Sequence, residues 1–232
     1  MELNKNRWRK KDIDEFNKYL ESIKKEDKID FTKRIVNTKM EVLGINIPTL
    51  RNISKQIAKG NFESYLDMKN NKYYENTIIN VCLINNIKDL KLKKKYLNEL
   101  YIDNWSTCDT LTFYIKGLEK EYFELSEEYL KSEDSFTRRL GIRILFSYKK
   151  TEYIDRIFKI IDSFYNEEDY YVNMAIAWLL CELMIYNRDK TLQYLKNHNL
   201  NKFVINKAIS KCRDSYRISK QDKELLVKYR VK

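Results

Sequence analysis

Apolar residues recur along this chain at spacings of three and four, with polar residues between them. That is the period of an amphipathic helix. Residues 7–25 show it first, with Ile13, Phe16, Leu20 and Ile23 on one face, and a second helix is read over 29–36. The clearest break follows at Leu43-Gly44-Ile45-Asn46-Ile47-Pro48-Thr49-Leu50-Arg51. Pro48, the only proline, fits the first position of a helix running to Lys59, and Gly60 fits as its C-terminal cap. The same period predicts helices over 72–85, 89–101, 104–115, 120–131, 135–149, 151–164, 168–186, 189–197, 201–213 and 219–229. Their connections are short and polar, and no linker is long enough to divide the chain. The expectation is therefore a single helical-repeat domain spanning 1–232. With only 4 glycines and 1 proline, hairpin turns are hard to build, which also favours an all-α fold.

The helices show self-similarity. Tyr73-Tyr74-Glu75-Asn76 recurs as Tyr170-Tyr171-Val172-Asn173. Between them, Asn104-Trp105-Ser106-Thr107 and Phe136-Thr137-Arg138-Arg139 each open an apolar helix, at a spacing of about 31 to 34 residues. Stacked helix pairs have this period, and such stacks curve around a concave face lined by the equivalent helix of every pair. Asn76, Trp105 with Asp109, Arg139 and Asn173 would then lie near the starts of successive equivalent helices. Chance similarity in a chain with 18 tyrosines is the competing explanation.

Charge adds a partner class. The net charge of +11 favours an anionic partner, either nucleic acid or an acidic surface. The alternative is a Lys-, Asn-, Ile- and Tyr-rich composition set by an A+T-rich genome, with lysines solvating helix faces. Cys82, Cys108, Cys181 and Cys212 have no C-x-x-C spacing, and His198 is the only histidine. Zinc ligation, a Cys–His nucleophile and a Ser–His–Asp triad are thus unsupported, and no metal is expected. Apolar surroundings suggest buried, reduced thiols and a cytoplasmic protein. No apolar run follows the basic N-terminus, and no window matches the roughly 18 to 20 apolar residues of a membrane span.

Few residues could carry chemistry. Asn104 is a good N-cap, and it places Trp105 and Asp109 four residues apart on one helix face. A carboxylate beside an aromatic ring could stabilise an oxocarbenium-like sugar or orient a water. Alternatively, Asp109 accepts a local hydrogen bond and Trp105 packs in the core. Trp178 lies in a helix that is apolar nearly all round, on a face shared with Tyr171, Met174 and Ala175. It either fills core or opens onto the concave face together with Trp105. Arg138, Arg139 and Arg143 sit among apolar residues of the 135–149 helix, with Arg139 and Arg143 pointing the same way. They suit bidentate phosphate contact, or else pair with Glu133 or Asp134 or lie in solvent. Arg51, with Lys55 and Lys59, and Lys207 and Lys211, with Arg213 and Arg217, form stripes able to track a nucleic-acid backbone. The lysine run at 91–95 reads as a solvated convex face.

Taken together, these motifs resemble the AlkD-type DNA alkylation repair family over 31–217. The match runs through Leu43-Gly44-Ile45 and Pro48-Thr49-Leu50-Arg51, then Ile102-Asp103-Asn104-Trp105-Ser106-Thr107-Cys108-Asp109, and Arg139 in its apolar helix. It continues through Tyr170-Tyr171-Val172-Asn173-Met174-Ala175-Ile176-Ala177-Trp178, then Asn206-Lys207-Ala208-Ile209 and Ser215-Tyr216-Arg217-Ile218. The resemblance implies a curved α-solenoid of about six HEAT-like antiparallel helix pairs clamping duplex DNA in a basic groove. It implies a DNA glycosylase that excises cationic alkylated purines, 7-methylguanine and 3-methyladenine, as a monomer without cofactor or metal. Trp105 and Trp178 match the family's two tryptophans, and Asp109 its catalytic aspartate, which supports the oxocarbenium-like state and the water. Arg139 matches an arginine that grips the backbone. Cys181 departs from the longer members, which carry a basic residue there. A non-catalytic nucleic-acid-binding or protein-scaffold solenoid is the alternative.

Overall fold

In the computed structural model, which describes residues 1–232, the chain is all-helical with no strands. It forms two compact units, Met1–Thr112 and Phe113–Lys232. No helix is long and apolar enough to cross a membrane.

The first unit holds α1 (Lys10–Ser22), α2 (Glu26–Val36), α3 (Ile47–Ile57), α4 (Phe62–Leu66), α5 (Tyr74–Ile84), α6 (Leu90–Glu99) and α7 (Trp105–Thr110). Helices α3, α5 and α7 pack side by side, with α4 and α6 also packed on α5. The sequence of α5 explains its central place, since it is buried on every side and its polar residues Glu75, Asn76 and Thr77 have no exposure at all. The second unit holds α8 (Glu119–Tyr129), α9 (Ser135–Leu145) with a 3-10 turn at Phe146–Tyr148, and α10 (Ile154–Asp162). It continues with α11 (Tyr170–Tyr186), α12 (Arg188–Lys196), α13 (Lys202–Asp214) and α14 (Lys220–Val227). Here α9, α11 and α13 form the row, with α8 packed on α9, α12 on α11 and α14 on α13. The helices at whose starts the sequence repeat falls (α5, α7, α9 and α11) are thus members of these two rows.

Side-chain caps start most of these helices. Asn46, Asn61, Asp89, Asn104, Asp134, Asp169, Asn201 and Ser219 each accept a backbone N–H from the first turn. Each such cap stabilises its helix by about 1 kcal/mol. Short polar caps therefore supply the punctuation that glycine and proline do not.

Several boundaries differ from the sequence reading. Helix α4 was not anticipated, because its five residues are too few to show a period. Gly60 does not cap α3 in the left-handed region, since the only positive-φ glycines are Gly44 and Gly117. Its role is close approach: a Cβ there would lie 2.4 Å from the Lys5 carbonyl oxygen. The helix expected over 104–115 ends at Thr110, because neighbouring side chains capture its last backbone groups. Asn85 donates to the Thr110 carbonyl at 3.0 Å and accepts from the Thr112 N–H at 2.8 Å. The Lys93 ammonium donates to the Thr112 carbonyl at 2.9 Å.

Lys93 also corrects the solvated reading of 91–95, as it is only 1% exposed. Burial pushes its ammonium down to about 8 from an ordinary 10.5. The unfolded chain thus binds more protons than the folded one between these values, so stability should rise across that interval. Relative to Lys93→Met, the wild type should gain on the order of 3 kcal/mol between about pH 8 and pH 10.5 in urea denaturation. Parallel stability–pH curves for the two proteins would show that the ammonium is not desolvated.

Candidate functional site

Helix α7 is short, and side-chain contacts rather than length hold it in place. Its cap Asn104 is fully buried, accepts from the Thr107 N–H at 2.9 Å and donates to Asp103 at 2.9 Å. Asp103 in turn accepts from the Thr38 hydroxyl and the Lys39 N–H, each at 2.8 Å, which ties α7 to the segment that follows α2. On the α5 side, Thr107 meets Thr77 hydroxyl to hydroxyl at 2.8 Å, and Ser106 meets the Tyr74 hydroxyl at 2.7 Å. A hydroxyl pair buried between two helices fixes both the distance and the rotation of α7 on α5.

These contacts place Trp105 and Asp109. Both are half-buried, one turn apart. The Trp105 indole N–H donates to the Ile35 carbonyl at 3.1 Å, near the end of α2. The indole is therefore oriented by a hydrogen bond yet keeps solvent access, rather than filling core. A carboxylate with solvent access beside a fixed aromatic ring could approach a reacting cation and its water.

In the second unit, α11 is exposed at its end residues Tyr170 and Tyr186, and between them one stripe reaches solvent. Tyr171, Met174, Trp178 and Ile185 are half-buried, while Val172, Ala175, Ile176, Leu179 and Leu183 are fully buried. Trp178 thus lies at the edge of the core. Its ring sits 4.7 Å from that of Phe146, and the Arg143 guanidinium lies 4.8 Å from the Trp178 ring and 4.5 Å from the Phe146 ring. A guanidinium against two rings is a cation–π arrangement, and it stiffens the indole.

The other arginines of α9 turn inward. Arg138 forms a bidentate pair with Glu167 at 2.8 and 2.9 Å and also donates to the Ser132 and Glu133 carbonyls. Neither carboxylate named from the sequence takes it, and Asp134 is occupied as the α9 cap. Arg139 is 4% exposed and donates to the Tyr171 carbonyl, bracing the first turn of α11.

Further along α11, buried Glu182 accepts from Lys149 at 2.9 Å and from Arg217. Burial opposes its charge, but Arg217 and Lys149 outweigh this and hold the carboxyl below its ordinary value. Arg217 nevertheless keeps about half its side chain exposed, 51%. Next to Glu182 in sequence, the buried Cys181 thiol is lowered and the buried Cys212 thiol raised by their mutual interaction. Lys211 and Arg217 add positive charge near Cys181. Arg51 and Lys55 are exposed on α3, and Lys207 is half-buried on α13. All four cysteines are free thiols.

Sequence reading missed the residues that hold the candidates: Asp103 and Thr38 under α7, Phe146 under Arg143, and the Glu182 cluster. The adjacent Asp103-Asn104 pair was the one available signal, since two cap-type residues before a helix leave one free to reach elsewhere.

The chain is thus an all-helical protein with basic side chains on its helix rows and a half-buried acid one turn from an indole. A family model described as DNA alkylation repair enzyme matches residues 16–212, and the chain belongs to that family. It is an enzyme family, with DNA as its substrate. Among curated proteins, none matches the chain.

Proposed function

We propose that the protein is a DNA glycosylase that releases cationic alkylated purines, such as 7-methylguanine and 3-methyladenine, from duplex DNA by hydrolysis. The observation that supports this most is the half-buried Asp109 one turn from the hydrogen-bonded Trp105, within the family-matched segment. A purine alkylated on a ring nitrogen already carries positive charge. When its bond to C1′ breaks, the base leaves neutral, taking the bond electrons without needing a general acid. Positive charge then passes to C1′ and the ring oxygen of the sugar. Asp109 stabilises that charge and orients the water that adds to C1′, whose proton is lost to the carboxylate or to solvent. Trp105 packs on the sugar. Arg51, Lys211 and Arg217 contact phosphates. In this role Lys211 and Arg217 supply the positive charge that Cys181 lacks. Arg138 and Arg139 act through the fold, fixing the starts of α9 and α11.

The test is base release from methylated duplex DNA with enzyme in excess, read by chromatography of the freed bases. Release of 7-methylguanine by the purified protein is the expected result. Tight, salt-sensitive duplex binding with no release would instead establish the non-catalytic alternative.

A further inference from the structure

A cleft of about 530 Å³ on the second unit is lined by Lys202, Phe203, Asn206, Lys207, Ser210 and Arg230. No acid lines it, and none of its three cations has a carboxylate partner. One wall is fixed by pairing between α13 and the segment after α14. Asn206 donates to the Val231 carbonyl at 2.9 Å and accepts the Val231 N–H at 3.0 Å. Arg230 donates to the Ser210 hydroxyl at 3.1 Å. The cations are thus presented by a built surface rather than by a loose tail.

Aromatic rings lead away from this cleft. Phe203 is 42% exposed and lies 5.8 Å from the Tyr170 ring, itself 55% exposed. Tyr170 contacts Tyr171 at 5.3 Å, and Tyr171 contacts Phe136 at 5.2 Å. Of the three acids that precede Tyr170, Asp169 caps α11 and Glu167 pairs with Arg138, while Glu168 is exposed.

We infer that this cleft and ring row bind single-stranded nucleic acid. Its phosphates lie against Lys202, Lys207 and Arg230, and its bases stack on Phe203 and Tyr170. Convergent unpaired cations call for a polyanion. Exposed ring faces call for flat partners, and a polyanion bearing flat side groups is a nucleic acid strand. A continuous duplex does not fit, because its base faces are covered by neighbouring pairs. The surface goes beyond the excision reading and does not depend on it.

The test compares two labelled strands of about 12 nucleotides by fluorescence anisotropy, one of oligodeoxythymidine and one with abasic residues replacing the bases. The whole chain is basic, so the difference between strands is the readout rather than total affinity. Wild type should prefer the base-bearing strand by about fivefold or more. Phe203→Ala with Tyr170→Ala should abolish that preference while leaving abasic-strand affinity unchanged. Lys202→Glu with Arg230→Glu should weaken both strands by about tenfold. A 5-iodouracil strand should photo-cross-link to Tyr170 or Phe203. The inference is overturned if wild type shows no preference, if the preference survives loss of both rings, if charge reversal has no effect, or if cross-links fall only elsewhere. Thermal melting of each variant separates lost binding from lost folding. Because no step measures base release, a failed excision assay leaves this result intact, and the converse also holds.

Discussion

Asp109→Asn should lower the single-turnover release of 7-methylguanine by about 100-fold or more, with little change in duplex affinity. The asparagine keeps the size of the side chain and much of its hydrogen bonding but removes the charge. A unit negative charge about 4 Å from a developing positive one contributes roughly 4 kcal/mol at the effective dielectric near a protein surface. Losing a group aimed at transition-state charge lowers rates by about 100- to 1,000-fold in comparable sites. The fold should tolerate the change. The asparagine is isosteric and keeps much of the side chain's hydrogen bonding at a half-buried position, so the melting temperature should stay within about 2 °C. Release rates and melting curves measured on the same samples decide the matter. An unchanged release rate would remove Asp109 from the chemistry, and a collapsed melting curve would make it structural.

The parts of this site that were legible in the sequence are those written in local spacing. Trp105 and Asp109 share a face because they are four apart, and Asn104 caps α7 as expected. The all-helical class followed from period and composition. What could not be read was set by contacts distant in sequence. The length of α7 depends on Asn85 and Lys93, which bond the backbone at Thr110 and Thr112. Arg139 and Arg143 share a helix face on paper. Yet one is buried against the Tyr171 carbonyl and the other rests on the rings of Phe146 and Trp178. Helical spacing gives a direction, not what lies in that direction. The same gap hid the burial of Lys93 within a run of lysines, and the choice of Glu167 over nearer acids by Arg138.

Glu75→Ala should destabilise the first unit by about 3 to 5 kcal/mol, a large share of an ordinary domain's stability. Glu75 has no exposure, and its carboxylate accepts from the Leu43 N–H at 3.0 and 3.1 Å and from the Ile45 N–H at 3.3 Å. Between these donors Gly44 takes φ +73°, and a Cβ there would sit 2.4 Å from the Lys25 carbonyl oxygen. The loop is thereby turned inward, so its N–H groups cannot reach water once the carboxylate is gone. Two orphaned donors and a cavity account for the magnitude. Glu75→Gln keeps an oxygen able to serve both N–H groups and should lose far less. Its comparison with wild type carries a pH signature. Burial raises the Glu75 carboxyl above its ordinary 4.5, so the folded state holds the proton longer than the unfolded chain. Wild type should therefore lose stability relative to Glu75→Gln as the pH rises from about 4.5 through the raised value. The effect should reach the candidate site, because α5 begins with Tyr74, which meets Ser106 on α7, and the held loop leads into α3 with Arg51. Equal melting of the Ala and Gln variants would show that the carboxylate does not hold the loop.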